Sequence, residues 1–98
     1  MEIKFDVGKV VYTDNIVAMI GVNLSYAEIK NCVTRHSCGD HGDVGWVELK
    51  ANRSYIDKGG QIMSIFTIKG VKFYVITEYV IDDDEVTTTM VLLPEDYC

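Results

Sequence analysis

Proline occurs once in the 98 residues, as Pro94, and the nine basic residues are outnumbered by fifteen acidic ones. With no earlier proline, and with no repeat or low-complexity tract, nothing along the chain marks a linker or a second domain. The shortage of Lys and Arg, which leaves a net charge of −6, argues against direct nucleic-acid binding. A duplex-binding surface must displace several counterions with clustered cations. The same charge favours a basic protein partner, including one that itself handles nucleic acid. Long apolar runs are also missing, since none approaches the ~20 residues that span a bilayer, and no membrane contact is expected. The first residues, Met1-Glu2-Ile3-Lys4-Phe5-Asp6, lack the basic start and apolar stretch of a secretory signal, so the expected compartment is cytoplasmic. Cysteine is scarce and odd in number: Cys32, Cys38 and Cys98 make no disulfide framework, and reduced thiols are expected.

What is present fits one folded domain over residues 1–98. The hydrophobic fraction is 48% and the charged fraction 24%, outside the range of disordered chains. Residues 10–12 read as a short first strand, and Thr13 or Asp14 can cap a helix over 15–20 that stops at Gly21. Ser25-Tyr26-Ala27-Glu28 is a capping box that opens a second helix, with Ala27, Ile29, Cys32 and Val33 expected inward and an end before Gly39. A third helix is expected over 45–58, with Trp46, Leu49, Tyr55 and Ile56 as its apolar positions and Gly59-Gly60 as its stop. The period then changes to two. Ile62, Ser64, Phe66 and Ile68 alternate with Gln61, Met63, Ile65 and Thr67. Lys69-Gly70 is a turn, 71–80 a β-branched and aromatic strand, and 86–93 a third strand. The expected class is α+β: two or three helices packed on a three- to four-stranded antiparallel sheet that ends in a β-meander.

Against this background one polar run stands out. Arg35-His36-Ser37-Cys38-Gly39-Asp40-His41-Gly42-Asp43 places two imidazoles, a thiol and two carboxylates within nine residues. Three chemistries fit it. Cys32, His36, Cys38 and His41 are the residue types of a zinc site, but the close Cys-x3-His-x-Cys-x2-His spacing lacks the usual two separated pairs, and no metal or other cofactor is expected. His36, oriented by Asp40 with Arg35 nearby and Thr88 and Tyr97 as donors from the sheet, would suit general acid–base cleavage by a small metal-independent ribonuclease or phosphodiesterase. A helix-plus-antiparallel-sheet domain is also the architecture of barnase-like ribonucleases, a likeness of fold alone. Alternatively the run is a hydrogen-bonded turn. Arg35 and His36 would then suit a helix's carbonyl end, Gly39 the reversal, and Asp40 or Asp43 the amides beyond.

The motifs resemble, almost end to end, a family of small proteins carried on bacterial plasmids, conjugative elements and prophages. The shared pieces begin with Gly8-Lys9-Val10-Val11-Tyr12-Thr13 and an Arg-His-x-x-Gly-Asp-Trp-Gly motif matched at Arg35, His36, Gly39, Asp40 and Gly42. Asn52, Gly59, Ser64 and Ile76-Thr77-Glu78 follow, and the pattern closes with Thr88-Thr89 through Leu92-Leu93-Pro94-Glu95-Asp96-Tyr97. The chain departs from it at His41, in place of the tryptophan, at Gln61 for arginine, at Phe66 for tyrosine, and in an acidic insertion over 79–85. The resemblance implies a mobile-element accessory protein and supplies no reaction. The favoured expectation is therefore a non-enzymatic, anti-CRISPR-like inhibitor of a host defence protein. Its acidic contact surface would comprise Asp82, Asp83, Asp84, Glu85, Glu95 and Asp96. The ribonuclease using His36 and Asp40 is the alternative.

Overall fold

Hydroxyl caps start the first two helices in the computed structural model, which describes residues 2–81 and 86–97. Thr13 Oγ1 accepts the Ile16 amide at the head of α1 (Asp14–Met19). Ser25 Oγ accepts the Glu28 amide at 3.2 Å at the head of α2 (Tyr26–Ser37) and donates to Glu28 Oε1 at 3.0 Å. Glu28 thus reaches back to the serine hydroxyl, where the usual capping box has the serine amide. Ile29, Cys32, Val33 and His36 recur at helical spacing and are buried, whereas Ala27, expected inward, is exposed.

The strands are β1 (Lys9–Tyr12), β2 (Gly60–Ile68), β3 (Val71–Tyr79) and β4 (Thr88–Leu92), in the sheet order β1-β4-β3-β2. Lys69 and Gly70 both take positive φ, +51° and +80°, as a two-residue turn that follows the sheet's twist requires. The meander β2-β3-β4 is antiparallel, as expected; β1 joins β4 in parallel, so the sheet is mixed. The chain between β1 and β4 includes three α-helices, long enough to return it for a parallel pairing. Ile16, Ile29, Cys32 and Val33 pack with Phe66, Phe73, Val75 and Val91 into one core on the sheet's inner face.

α3 (Trp46–Lys58) departs most from expectation. Its buried residue is polar Asn52, while Trp46 is 70% exposed and Leu49, Tyr55 and Ile56 are half-buried. The cause is position: α3 packs on the edge strand β2 and not across the sheet. Asn52 Nδ2 donates to the Met63 carbonyl at 2.7 Å, and Asn52 Oδ1 accepts the Met63 amide at 2.9 Å. One residue pair further on, the Ile65 amide donates to His41 O at 3.0 Å and the Ile65 carbonyl accepts from Asp43 N at 2.8 Å. The outward-facing rungs at Met63 and Ile65 are thereby closed to other strands. Among the described residues no helix is long and apolar enough to cross a membrane.

Candidate functional site

The strand alternation that buries Ile62, Phe66, Phe73, Val75 and Val91 also turns three hydroxyls inward: Ser64, Thr77 and Thr89, each at most 1% exposed. α2 lowers His36 onto them, wholly buried, and Phe5 closes over its ring edge-on at 5.1 Å. Buried polar groups at this depth must find partners, and here they find one another.

Eliminating donors from one end assigns every proton in the chain. Thr89 Oγ1 donates to the Val7 carbonyl at 2.7 Å, so at 2.6 Å it accepts from Thr77 Oγ1. Thr77, its own proton committed, accepts from His36 Nε2 at 2.8 Å. Burial, with a smaller contribution from His41, lowers the His36 pKa to about 3, so its ring is neutral and holds its proton on Nε2. His36 Nδ1 is therefore an acceptor and takes the Ser64 hydroxyl. Ser64 Oγ in turn accepts from His41 Nδ1 at 2.7 Å. One directed series runs from His41 through Ser64, His36, Thr77 and Thr89 to the backbone of Val7.

His41, 4% exposed, also has a lowered pKa: burial dominates, Asp40 opposes it, and the Arg53 cation adds a smaller lowering. With its proton on Nδ1, the lone pair lies on Nε2. Among the described residues Nε2 has no partner, and none of their buried side-chain nitrogens or oxygens lacks one, so Nε2 is open. His41 lines a cleft of about 300 Å³ with Lys4, Cys38, Gly39, Leu49, Arg53 and Ile56.

The rest of the polar run builds the turn that carries His41. Gly39 makes the reversal after α2 at φ +88°. Arg35 Nε donates to Asp40 Oδ2 at 2.7 Å, and the guanidinium lies over the Phe66 ring at 4.8 Å. Hydrogen bonding to Arg35 holds the Asp40 carboxyl below its usual range, and the same contact raises Arg35. Asp40 Oδ1 accepts the Gly42 amide at 3.1 Å. At Gly42, φ is +65° and a Cβ would fall 2.0 Å from the Ile65 carbonyl oxygen, so only glycine fits against the sheet edge.

These positions revise the sequence-based site. His36 is not oriented by Asp40: its two nitrogens engage Ser64 and Thr77, and Asp40 belongs to Arg35 and the turn. Thr88 and Tyr97 line a separate cleft with Glu78 and Met90, on the sheet's outer face, so the five residues considered for acid–base cleavage form no single centre. Cys32 lies in the core, where burial raises its thiol pKa; His36 and His41 meet edge-on at 5.6 Å, but with Cys32 and Cys38 they form no ligand set. Among the described residues no three His, Cys, Asp or Glu side chains could hold a metal ion.

Of the acidic residues expected at a partner contact, Asp82, Asp83, Asp84 and Glu85 lie outside the described residues, and Glu95 is exposed. Asp96 lines the outer-face cleft and also ties neighbouring segments: it accepts from Thr13 Oγ1 at 2.7 Å, Asn15 Nδ2 at 2.6 Å and Leu93 N at 3.0 Å. These bonds, Thr13's first, lower its pKa.

Sequence reading missed the hydroxyl series. Its signal was there in three hydroxyl residues at inward strand positions and a histidine in phase with Ile29, Cys32 and Val33. No family model, curated protein or solved structure matches the chain.

Proposed function

We propose that this chain is a mobile-element accessory protein that binds and inhibits a host defence protein with a basic, nucleic-acid-handling surface, as anti-CRISPR proteins do. The outer face of the sheet supports this reading. Val11, Met90, Ile76 and Met63 are register partners in one row across all four strands. Leu92, Tyr74 and Ile65 form a second row, and Tyr97 packs edge-on against Tyr74. Val11, Met90 and Tyr97 are 39%, 44% and 44% exposed. Such a face suits protein contact, and methionine lets it adapt to a partner's shape. Glu78 is exposed beside Gln61 and Thr88 at the end of these rows, and Glu95 lies next to Asp96 in the chain. With the acidic run 82–85 between β3 and β4, and a net charge of −6, the acids complement a basic partner.

The test is co-expression with a panel of CRISPR and restriction effectors, scored by phage plaques. Plaque formation should be restored against at least one effector. It should be lost again with Val11→Arg/Met90→Arg and with Asp82→Lys/Asp83→Lys/Asp84→Lys, each variant melting like the parent. No restoration against any effector, or full restoration by both variants, overturns the proposal.

A further inference from the structure

We infer that the cleft between α3 and the turn after α2 is a binding site for a small phosphate monoester, held by the open Nε2 of His41 and the guanidinium of Arg53. The inference stands apart from the partner-binding face, which is on the other side of the sheet.

The first observation is a nitrogen without a partner on a buried side chain. His41 is 4% exposed, its Nδ1 is committed to Ser64, its Nε2 is open, and the residue lines the cleft. An acceptor at the mouth of an otherwise buried side chain can take a hydrogen bond from a ligand in place of water. The hydroxyl series fixes which form that nitrogen takes. Ser64 must receive a proton from His41 because its own goes to His36, so Nδ1 stays protonated, and in the neutral ring that burial favours Nε2 presents its lone pair.

The second observation is the lining. Lys4 and Arg53 supply positive charge, while Leu49, Ile56 and the Cys38 side chain supply an apolar wall. At about 300 Å³ the cleft is at the small end of small-molecule sites. Anion, apolar body and hydrogen-bond donor are therefore wanted in one compact ligand. A carboxylate brings no proton at neutral pH, so it would face the Nε2 lone pair with one of its own. A phosphate monoester, with a second pKa near ~6, carries a hydroxyl in its monoanion and can donate to Nε2 while its other oxygens face Arg53 and Lys4.

The charged groups facing His41 agree with this choice. Arg53 from α3 and Lys4 from the N-terminal segment are cations, Lys4 being paired with Glu2 Oε1 at 3.7 Å on the exposed side. Asp40 is paired with Arg35 and still opposes part of the effect of burial on His41, His36 is neutral, and Cys38 lies on the cleft wall. The shared proton can sit on the ligand oxygen or on Nε2 without breaking a single bond in the hydroxyl series. Binding should therefore weaken as pH rises and that proton is lost.

The experiment titrates the full chain with phenyl phosphate, followed by imidazole proton resonances and by calorimetry at pH 6 and pH 8. Saturable one-to-one binding is expected, at least tenfold tighter at pH 6, shifting the His41 resonances and leaving those of His36 in place. His41→Asn retains an amide donor for Ser64 but removes Nε2, and Arg53→Gln removes the guanidinium; each should weaken binding at least tenfold. Benzoate, the carboxylate arm, should bind at least tenfold more weakly than phenyl phosphate. Absence of a saturable His41 shift in the parent protein overturns the site, and this reading needs no variant to fold. Undiminished binding by a folded His41→Asn overturns the role of Nε2. Benzoate binding as tightly as phenyl phosphate overturns the ligand class.

Discussion

His36 and His41 direct the same ring nitrogen, Nδ1, at one hydroxyl, that of Ser64, and play opposite parts there: His41 donates and His36 accepts. A single oxygen thus satisfies two buried imidazoles. Ser64→Ala should leave both nitrogens unpartnered and cost about 3 kcal/mol, from unsatisfied buried groups at ~1–3 kcal/mol each. Urea denaturation measures it. Paired with Thr77→Val, the two losses should fail to add by about 1 kcal/mol, since both act on the same imidazole. Strict additivity would mean that the series is a set of independent bonds.

Acid should unfold the protein through His36. Its pKa is about 3 in the fold, against the ordinary 6.5. Between these values the unfolded chain binds a proton that the folded one refuses, so stability is full above pH 6.5 and declines as pH falls toward 3. The slope from this group is ~1.4 kcal/mol per pH unit, or about 3 kcal/mol lost by pH 4.5. Asp40, held low by Arg35, adds a loss in the same direction once pH falls below the ordinary carboxylate value of 3.8. Denaturation midpoints from pH 7.5 to 4 measure the slope. In His36→Gln the decline between pH 6.5 and 4.5 should be visibly shallower, whatever that variant's stability at pH 7.5.

Asn52 takes the place of a neighbouring strand at the edge of β2. Asn52→Leu should cost about 2–3 kcal/mol, because the Met63 amide and carbonyl lose their partners. It should also promote association, since an uncovered rung invites pairing with another chain. Light scattering of the folded variant against concentration tests the second effect. A strictly monomeric Asn52→Leu would show that the 41–43 segment protects the edge unaided.

Asp96 ties the end of the sheet to the head of α1 through Thr13 and Asn15. Asp96→Ala should lower the melting temperature and speed amide exchange at Ile16 and Leu93, while partner binding is unaffected unless the fold opens. Glu95→Lys, by contrast, should leave melting unchanged. Reversal of that pattern would show that Asp96 does not tie these segments together.

Local signals carried much of the fold into view from sequence. Ser25 with Glu28, Lys69-Gly70, and the alternation from Ile62 to Ile68 each depend on residues a few places apart, and each was legible. The misread features depend on distant neighbours. α3 has a helical pattern with apolar Trp46, yet its burial is set by where it leans, and an edge strand asks for an amide, not an indole. His36 and Asp40 are close in the chain and look like a dyad. Ser64 and Thr77, 28 and 41 positions from His36, take its nitrogens. The site's residues were thus mostly named, but their partners were not.

The pairing of β1 with β4 has a consequence for synthesis. Lys9 to Tyr12 find their sheet neighbours at Thr88 to Val91, so β1 leaves the ribosome well before the strand it pairs with. While residues 88–91 are still inside the exit tunnel, Val10 and Tyr12 have no strand to join. Closing so long a loop is also slow relative to the β2-β3 hairpin. The nascent chain is therefore expected to hold a hairpin and helices first, and to become protease-resistant only after β4 emerges.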